Sequence, residues 1–233
     1  LMMMPITRIN PILIESAYPH FVKLKDNNAL LNSNYYKLQK SIAFLTFPIC
    51  FMMFILAPEI VGILYGDKWS QAAIILRILS FKGMLVSLGN PINCILLTKG
   101  MPNLSFKWNV ITAIGMFVFS FTGIKWGIEG VALSSLLFMI LLALPADLLM
   151  RRIASEAKPK DYWYNLKKIF FINALIFIII LLFKNYLIET ITQNGAITLT
   201  VSLFLSLLLY IGFYRKFEKD LYNTIGKLFM KRG

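Results

Sequence analysis

Apolar residues in this chain fall in blocks separated by short breaks rich in charge, glycine and proline. The blocks match the roughly 20 residues that a helix needs to cross about 30 Å of hydrocarbon. Six complete blocks cover residues 41–64, 71–97, 104–124, 128–150, 168–187 and 191–214, preceded by a proline-interrupted apolar piece over 1–19. Strand-like alternation is absent, and an open sheet edge cannot satisfy its amides in lipid. The pattern predicts an all-α, multi-pass transmembrane bundle of about seven spans, the first of them partial.

Composition agrees. Hydrophobic residues make up 58% of the 233 positions, charged residues 15%, and mean hydropathy is +0.69, more than a soluble core can hide. The net charge of +13 would suit a nucleic-acid binder, but its distribution points to topology. Lys23, Lys25, Lys37 and Lys40, then Lys99 and Lys107, then six cations in 151–168 and six in 215–232 occupy alternate breaks, eighteen in all. The other breaks hold only Lys68, Lys125 and Lys184. The positive-inside rule places the basic breaks and the C-terminus in the cytoplasm, and no nucleic-acid partner is expected. Trp69, Trp108, Trp126 and Trp163 sit at span ends, as an interfacial belt requires.

The chain divides into helices over 1–150, a basic cytoplasmic linker over 151–168, two last spans over 169–214 and a basic tail over 215–233. In the tail, Phe217, Leu221, Ile225 and Leu228 recur at helical spacing, so it is expected to lie along the inner leaflet. Cys50 and Cys94 fall inside apolar blocks and read as small hydrophobic residues. The first apolar piece starts on the outer side, so an odd number of further crossings is expected upstream.

Charged residues within spans are candidates for function, since each costs about 2.5–3.5 kcal/mol at mid-membrane. Lys82 lies roughly 18 Å along its helix, too deep to reach water easily. Lys82, Gly89 and Asn93 fall within about 20° of one another on a helical wheel, with Val86 close by. Two readings stay open for Lys82: a cavity wall that meets an anionic group, or a lysine paired with an acid to make its burial tolerable. Arg77, about 140° away and nearer the outer surface, suits snorkelling. Glu59 after Pro58 is a gate or ion-coupling candidate, or simply a hydrated residue, and Asp147 is an interfacial charge facing Arg151 or Arg152. Arg8 and Glu15 are seven residues apart, on one helical face if Pro11 permits. Pro48, Pro58, Pro91 and Pro145 each remove a helical hydrogen bond and are hinge candidates, although proline is common in membrane helices anyway.

Several stretches carry a family resemblance. They are SAYPHFVKLKDN (16–27), FLTFPICFMMFILAPEIVGILYGDKWSQAA (44–73), ILRILSFKGMLVSLGNPINCILLTKGMPNLSFKWNVI (75–111) and GIEGVALSSLL (127–137). In order and spacing they resemble the Wzx-type lipopolysaccharide and capsular polysaccharide flippases of the multidrug/oligosaccharidyl-lipid/polysaccharide exporter superfamily. Glu15 departs from that pattern. The resemblance implies the C-terminal lobe of a fold of about fourteen helices, partnered by an N-terminal lobe.

It also implies a function: alternating-access movement of an undecaprenyl-diphosphate-linked oligosaccharide across the bacterial inner membrane, with membrane lipids and a polysaccharide polymerase machinery as further partners. Lys82, Asn93, Arg77 and Arg8 are then substrate-path candidates, and Glu59 and Glu15 gating or ion-coupling candidates. A multidrug cation antiporter would favour buried acids over buried cations, and a lipid II flippase shares the same fold. A membrane-embedded polymerase or glycosyltransferase would need a carboxylate or histidine site. Only His20 is present, and no metal-ligand spacing occurs, so no enzyme, cofactor or metal is expected. By itself the chain is expected to be inert, its cavity open on one side.

Overall fold

The computed structural model describes residues 3–89, 91–190 and 194–217, and no strand occurs among them. Ten α-helices follow in order: α1 (Met3–Lys23), α2 (Asn28–Ile55), α3 (Ala57–Tyr65), α4 (Ala72–Gly89), α5 (Ile92–Thr98), α6 (Pro102–Gly123), α7 (Gly127–Phe138), α8 (Leu144–Ser155), α9 (Pro159–Thr190) and α10 (Gly195–Phe217). Tight 3₁₀ turns at Asp67–Trp69 and Ile124–Trp126 precede α4 and α7, and a π turn over Met139–Ala143 joins α7 to α8. The tail residues Leu221, Ile225 and Leu228 lie outside the described residues.

Five helical stretches have the length and hydropathy to cross a membrane: 28–55, 72–98 (α4 with α5), 102–155, 159–186 and 195–216. The third is 54 residues long, which as one straight helix would measure about 81 Å, far beyond a bilayer core. It folds back at Ile124–Trp126 instead. A Cβ added to Gly115 would run into the Phe138 ring, and one added to Gly123 would overlap the Gly130 carbonyl, so α6 and α7 pack antiparallel. The two limbs coincide with the apolar blocks at 104–124 and 128–150. The chain is a multi-pass helical membrane protein.

The hairpin's tip depends on missing side chains. Gly123→Ala pushes a methyl group into backbone and is expected to destabilise by about 1–3 kcal/mol. Gly115→Ala meets only the edge of one ring and should cost less. Thermal unfolding of the two purified variants in detergent checks the order, and equal stabilities would place the tight contact elsewhere.

α2 is the centre of the bundle. It is apolar on most sides, and such a helix is stable only where neighbours surround it. α1, α4 and α9 pack against it, leaving Leu31, Ile42, Ala43 and Cys50 without exposed surface. Cys50 and Cys94 are both buried free thiols. α1 runs unbroken through Pro11 and Pro19, so the expected proline-interrupted piece is one helix, though it is not among the five stretches above. The basic segment over 151–168 is mostly helical as well, leaving helix only at 156–158.

The two ends of the bundle differ as the charge pattern requires. The Lys99 ammonium donates to the Lys25 carbonyl and to Asn28 Oδ1. Asn32 and Ser155 exchange hydrogen bonds of 2.8 and 2.6 Å. These contacts gather the basic breaks at one end, while Glu59, Asp67 and Asn194 line a cleft between α3 and the start of α10.

Candidate functional site

Lys82, Val86, Gly89 and Asn93 all line one partly open cavity of about 230 Å³ bordered by α4, α5, α6, α7, the π turn and α8. The stripe inferred from helical periodicity is therefore a wall. Lys82 is only 4% exposed. Its Nζ lies 3.9 Å from Met116 Sδ, a weak acceptor that does little for an ammonium charge. Among the described residues it forms no ion pair.

The rest of the wall is polar toward α5. Ser105 Oγ donates to Asn93 Oδ1 at 2.8 Å, and Asn93 Nδ2 donates to Asn109 Oδ1 at 3.3 Å. Trp108, Thr112 and Asp147 also line the space. Trp69, Trp126 and Trp163 are exposed, as belt residues should be, but Trp108 is half-buried and packs on the core.

Helix α4 ends at Gly89, before Pro91. Pro91 has no N–H to offer the Ser87 carbonyl one turn back. Asn10 Nδ2 approaches that carbonyl at 3.5 Å, and the Ser87 hydroxyl is held by Thr46 Oγ1 at 3.1 Å. The Leu88 carbonyl accepts from Gln39 Nε2 at 3.0 Å and from Arg151 Nη2 at 3.4 Å. Neighbouring helices thus re-satisfy the broken backbone, the condition for tolerating such a break in lipid.

Arg151 was expected to be a linker cation and Asp147 an interfacial charge; both are buried, at 2% and 5% exposure. They pair across one turn of α8. The guanidinium lies 5.0 Å from the Tyr35 ring centroid and 4.4 Å from that of Tyr162. This placement follows from α8 packing on α5, α2 and α4, which brings its polar face inward.

The break before Pro58 has a parallel arrangement. Lys184 Nζ reaches Glu59 Oε1 at 2.7 Å and Oε2 at 2.9 Å, and donates to the Ile55 carbonyl at 2.8 Å. Glu59 is thus an ion-paired residue, and Lys184 is a buried clamp rather than a loop cation. Sequence inspection could not have joined them, because 125 positions separate the two.

The remaining candidates stand apart from the cavity. Arg8 and Glu15 are exposed on α1, and Arg77 is half-buried. α2 continues through Pro48. Pro145 follows the π turn, in which the Leu144 N–H bonds to the Met139 carbonyl. A proline clashes with the carbonyl four residues before it, and the wider π turn leaves room there. That turn contributes Met139 and Ala143 to the cavity.

Similarity to known proteins bears on this arrangement. A family profile described as polysaccharide biosynthesis protein matches residues 1–74. The lipopolysaccharide biosynthesis protein WzxC of Escherichia coli is 32% identical over 138 residues, 59% of this chain and 28% of WzxC. The teichuronic acid biosynthesis protein TuaB of Bacillus subtilis is 31% identical over 118 residues, 50% of this chain and 24% of TuaB. The resemblance to the Wzx-type polysaccharide flippases is borne out. A Klebsiella pneumoniae membrane protein of the cps region is also similar, 29% identical over 141 residues, 60% of this chain and 29% of that protein. No solved structure matches. These alignments span less than a third of each relative's length. The profile match stops at residue 74, ahead of Lys82.

Proposed function

We propose that this chain forms part of a transporter that moves an undecaprenyl-diphosphate-linked oligosaccharide from the inner to the outer leaflet of the bacterial inner membrane by alternating access, without breaking or forming a covalent bond. One observation carries this reading: the buried Lys82 ammonium faces a cavity and has no carboxylate partner among the described residues. An unpaired cation in a membrane interior is expensive unless a ligand supplies the opposite charge, and a diphosphate does so. The relatives supply the polysaccharide context through their names.

In this reading the basic end faces the cytoplasm, and an N-terminal lobe closes the open side of the cavity. The breaks at Pro58 and Pro91 are the hinges, with Pro48 and Pro145 as lesser ones. Glu59, paired with Lys184, is the outer gate; Arg77, Arg8 and Glu15 lie along the route or against the other lobe. A cation antiporter is disfavoured, because the buried acids Glu59 and Asp147 are already neutralised by Lys184 and Arg151.

Complementation tests it. The chain is joined to the N-terminal lobe of a relative in a strain lacking its own flippase, and surface polysaccharide is scored at matched membrane levels. Lys82→Ala is expected to lower export at least tenfold, about 1.4 kcal/mol, with Lys82→Arg retaining part of it. Full export by Lys82→Ala would reduce Lys82 to a structural residue.

A further inference from the structure

We infer that the α5–α6 end of the cavity, formed by Trp108, Asn109 and Asn93, is a saccharide subsite that binds the first sugar ring of the cargo. The inference rests on the flippase reading, and adds to it a place for the sugar distinct from the place of the phosphates.

The two ends of the cavity differ in chemistry and are spaced along α6. Lys82 meets Met116, while Asn93 meets Asn109, seven residues earlier and so about 10 Å away along the helix. One end thus offers a cation and the other offers carboxamides. A ligand suited to both carries an anionic group and hydroxyls a short distance apart, as a glycosyl diphosphate does.

The carboxamides are arranged beforehand. Asn93 Oδ1 accepts from Ser105, and one Asn93 N–H donates to Asn109 Oδ1, which holds the Asn93 amide at both ends and tethers Asn109 through its oxygen. A carboxamide has two N–H donors and an oxygen with two lone pairs. The second Asn93 N–H, both Asn109 N–H groups and an Asn109 lone pair are therefore left for a ligand's hydroxyls, at little cost of further ordering. Thr112 directs its own hydroxyl proton to the Trp108 carbonyl at 2.8 Å, so toward the cavity its oxygen is an acceptor.

Trp108 completes the recognition. The indole packs partly on the core and borders the cavity, presenting apolar ring surface beside amide donors. A pyranose ring needs that combination, with C–H bonds on its faces and hydroxyls around its rim. The 230 Å³ of the cavity equals the space of about eight liquid waters, which suits one sugar ring better than an oligosaccharide.

The test compares two probes on the 233-residue chain in lipid nanodiscs: a polyprenyl diphosphate bearing one hexose, and the same polyprenyl diphosphate without sugar. The parent chain is expected to bind the glycosylated probe about tenfold more tightly, the worth of one or two net hydrogen bonds with stacking. Asn109→Ala combined with Trp108→Leu should abolish that preference and leave the bare diphosphate's affinity unchanged. Asn109 is exposed, so Asn109→Ala alone tests the subsite with little risk to folding, and should remove part of the preference. Lys82→Met should weaken both probes alike. Equal binding of the two probes by the parent, or a preference that survives the double substitution, overturns the subsite; if Lys82→Met still weakens both, the flippase reading stands without it. Binding of both probes that ignores Lys82→Met overturns the reading and the subsite together.

Discussion

Replacing Arg151 by methionine is expected to destabilise the protein by about 3–5 kcal/mol, the usual result of removing one member of a buried ion pair. Three losses coincide. Asp147 is left as an unpaired carboxylate at 5% exposure, the Leu88 carbonyl loses a donor beside the Pro91 break, and the rings of Tyr35 and Tyr162 lose the cation between them. Asp147→Leu together with Arg151→Met should recover most of the loss, since removing both charges at once is often near neutral. Arg151→Lys should recover little, because a single ammonium cannot reproduce a planar guanidinium held between two rings. Denaturant titration of the detergent-solubilised variants measures all three. A loss below about 0.5 kcal/mol for Arg151→Met, the range of ordinary surface changes, would contradict the arrangement.

Lys184→Met is expected to follow, with a loss of about 2–5 kcal/mol, typical for truncating one partner of a buried hydrogen-bonded charge pair. It strands both Glu59 oxygens and the Ile55 carbonyl at the junction of α2 and α3. A double-mutant cycle with Glu59→Gln should show coupling of about 0.5–3 kcal/mol; zero coupling would mean the pair does not hold the junction. Lys82 should behave in the opposite sense. It has no carboxylate partner to strand, so Lys82→Met should leave stability unchanged or raise it while export falls. That opposite sign separates a residue kept for cargo from residues kept for architecture.

Periodicity and charge reach some of this directly. Lys82, Val86 and Gly89 share a wall because one helical repeat of α4 relates them, with Asn93 of α5 on the same wall beyond the Pro91 break, and the fold-back of α6 on α7 is announced by two apolar blocks flanking Lys125, Trp126 and Gly127. The clamps are a different matter. Lys184 and Arg151 look like span-end cations until tertiary packing turns them inward against partners 125 and 63 residues away. Trp108 misled for a similar reason: a tryptophan near a span end usually marks the membrane surface, and only the approach of α5 and the π turn makes it part of a cavity. The unbroken α1 shows that proline alone does not interrupt a helix.

The clamps also set an order in time. The Leu88 carbonyl gains its second donor only 63 residues downstream, and the Ile55 carbonyl waits for the Lys184 ammonium 129 residues downstream. At about 5–20 residues per second of synthesis, that wait lasts roughly 6–26 s. For that interval the ribosome has delivered α2 to α5 into the membrane with the Ile55 carbonyl and the Glu59 carboxylate still without the Lys184 ammonium. Nascent chains stalled within this window are the ones that insertion chaperones and membrane proteases would be best placed to recognise.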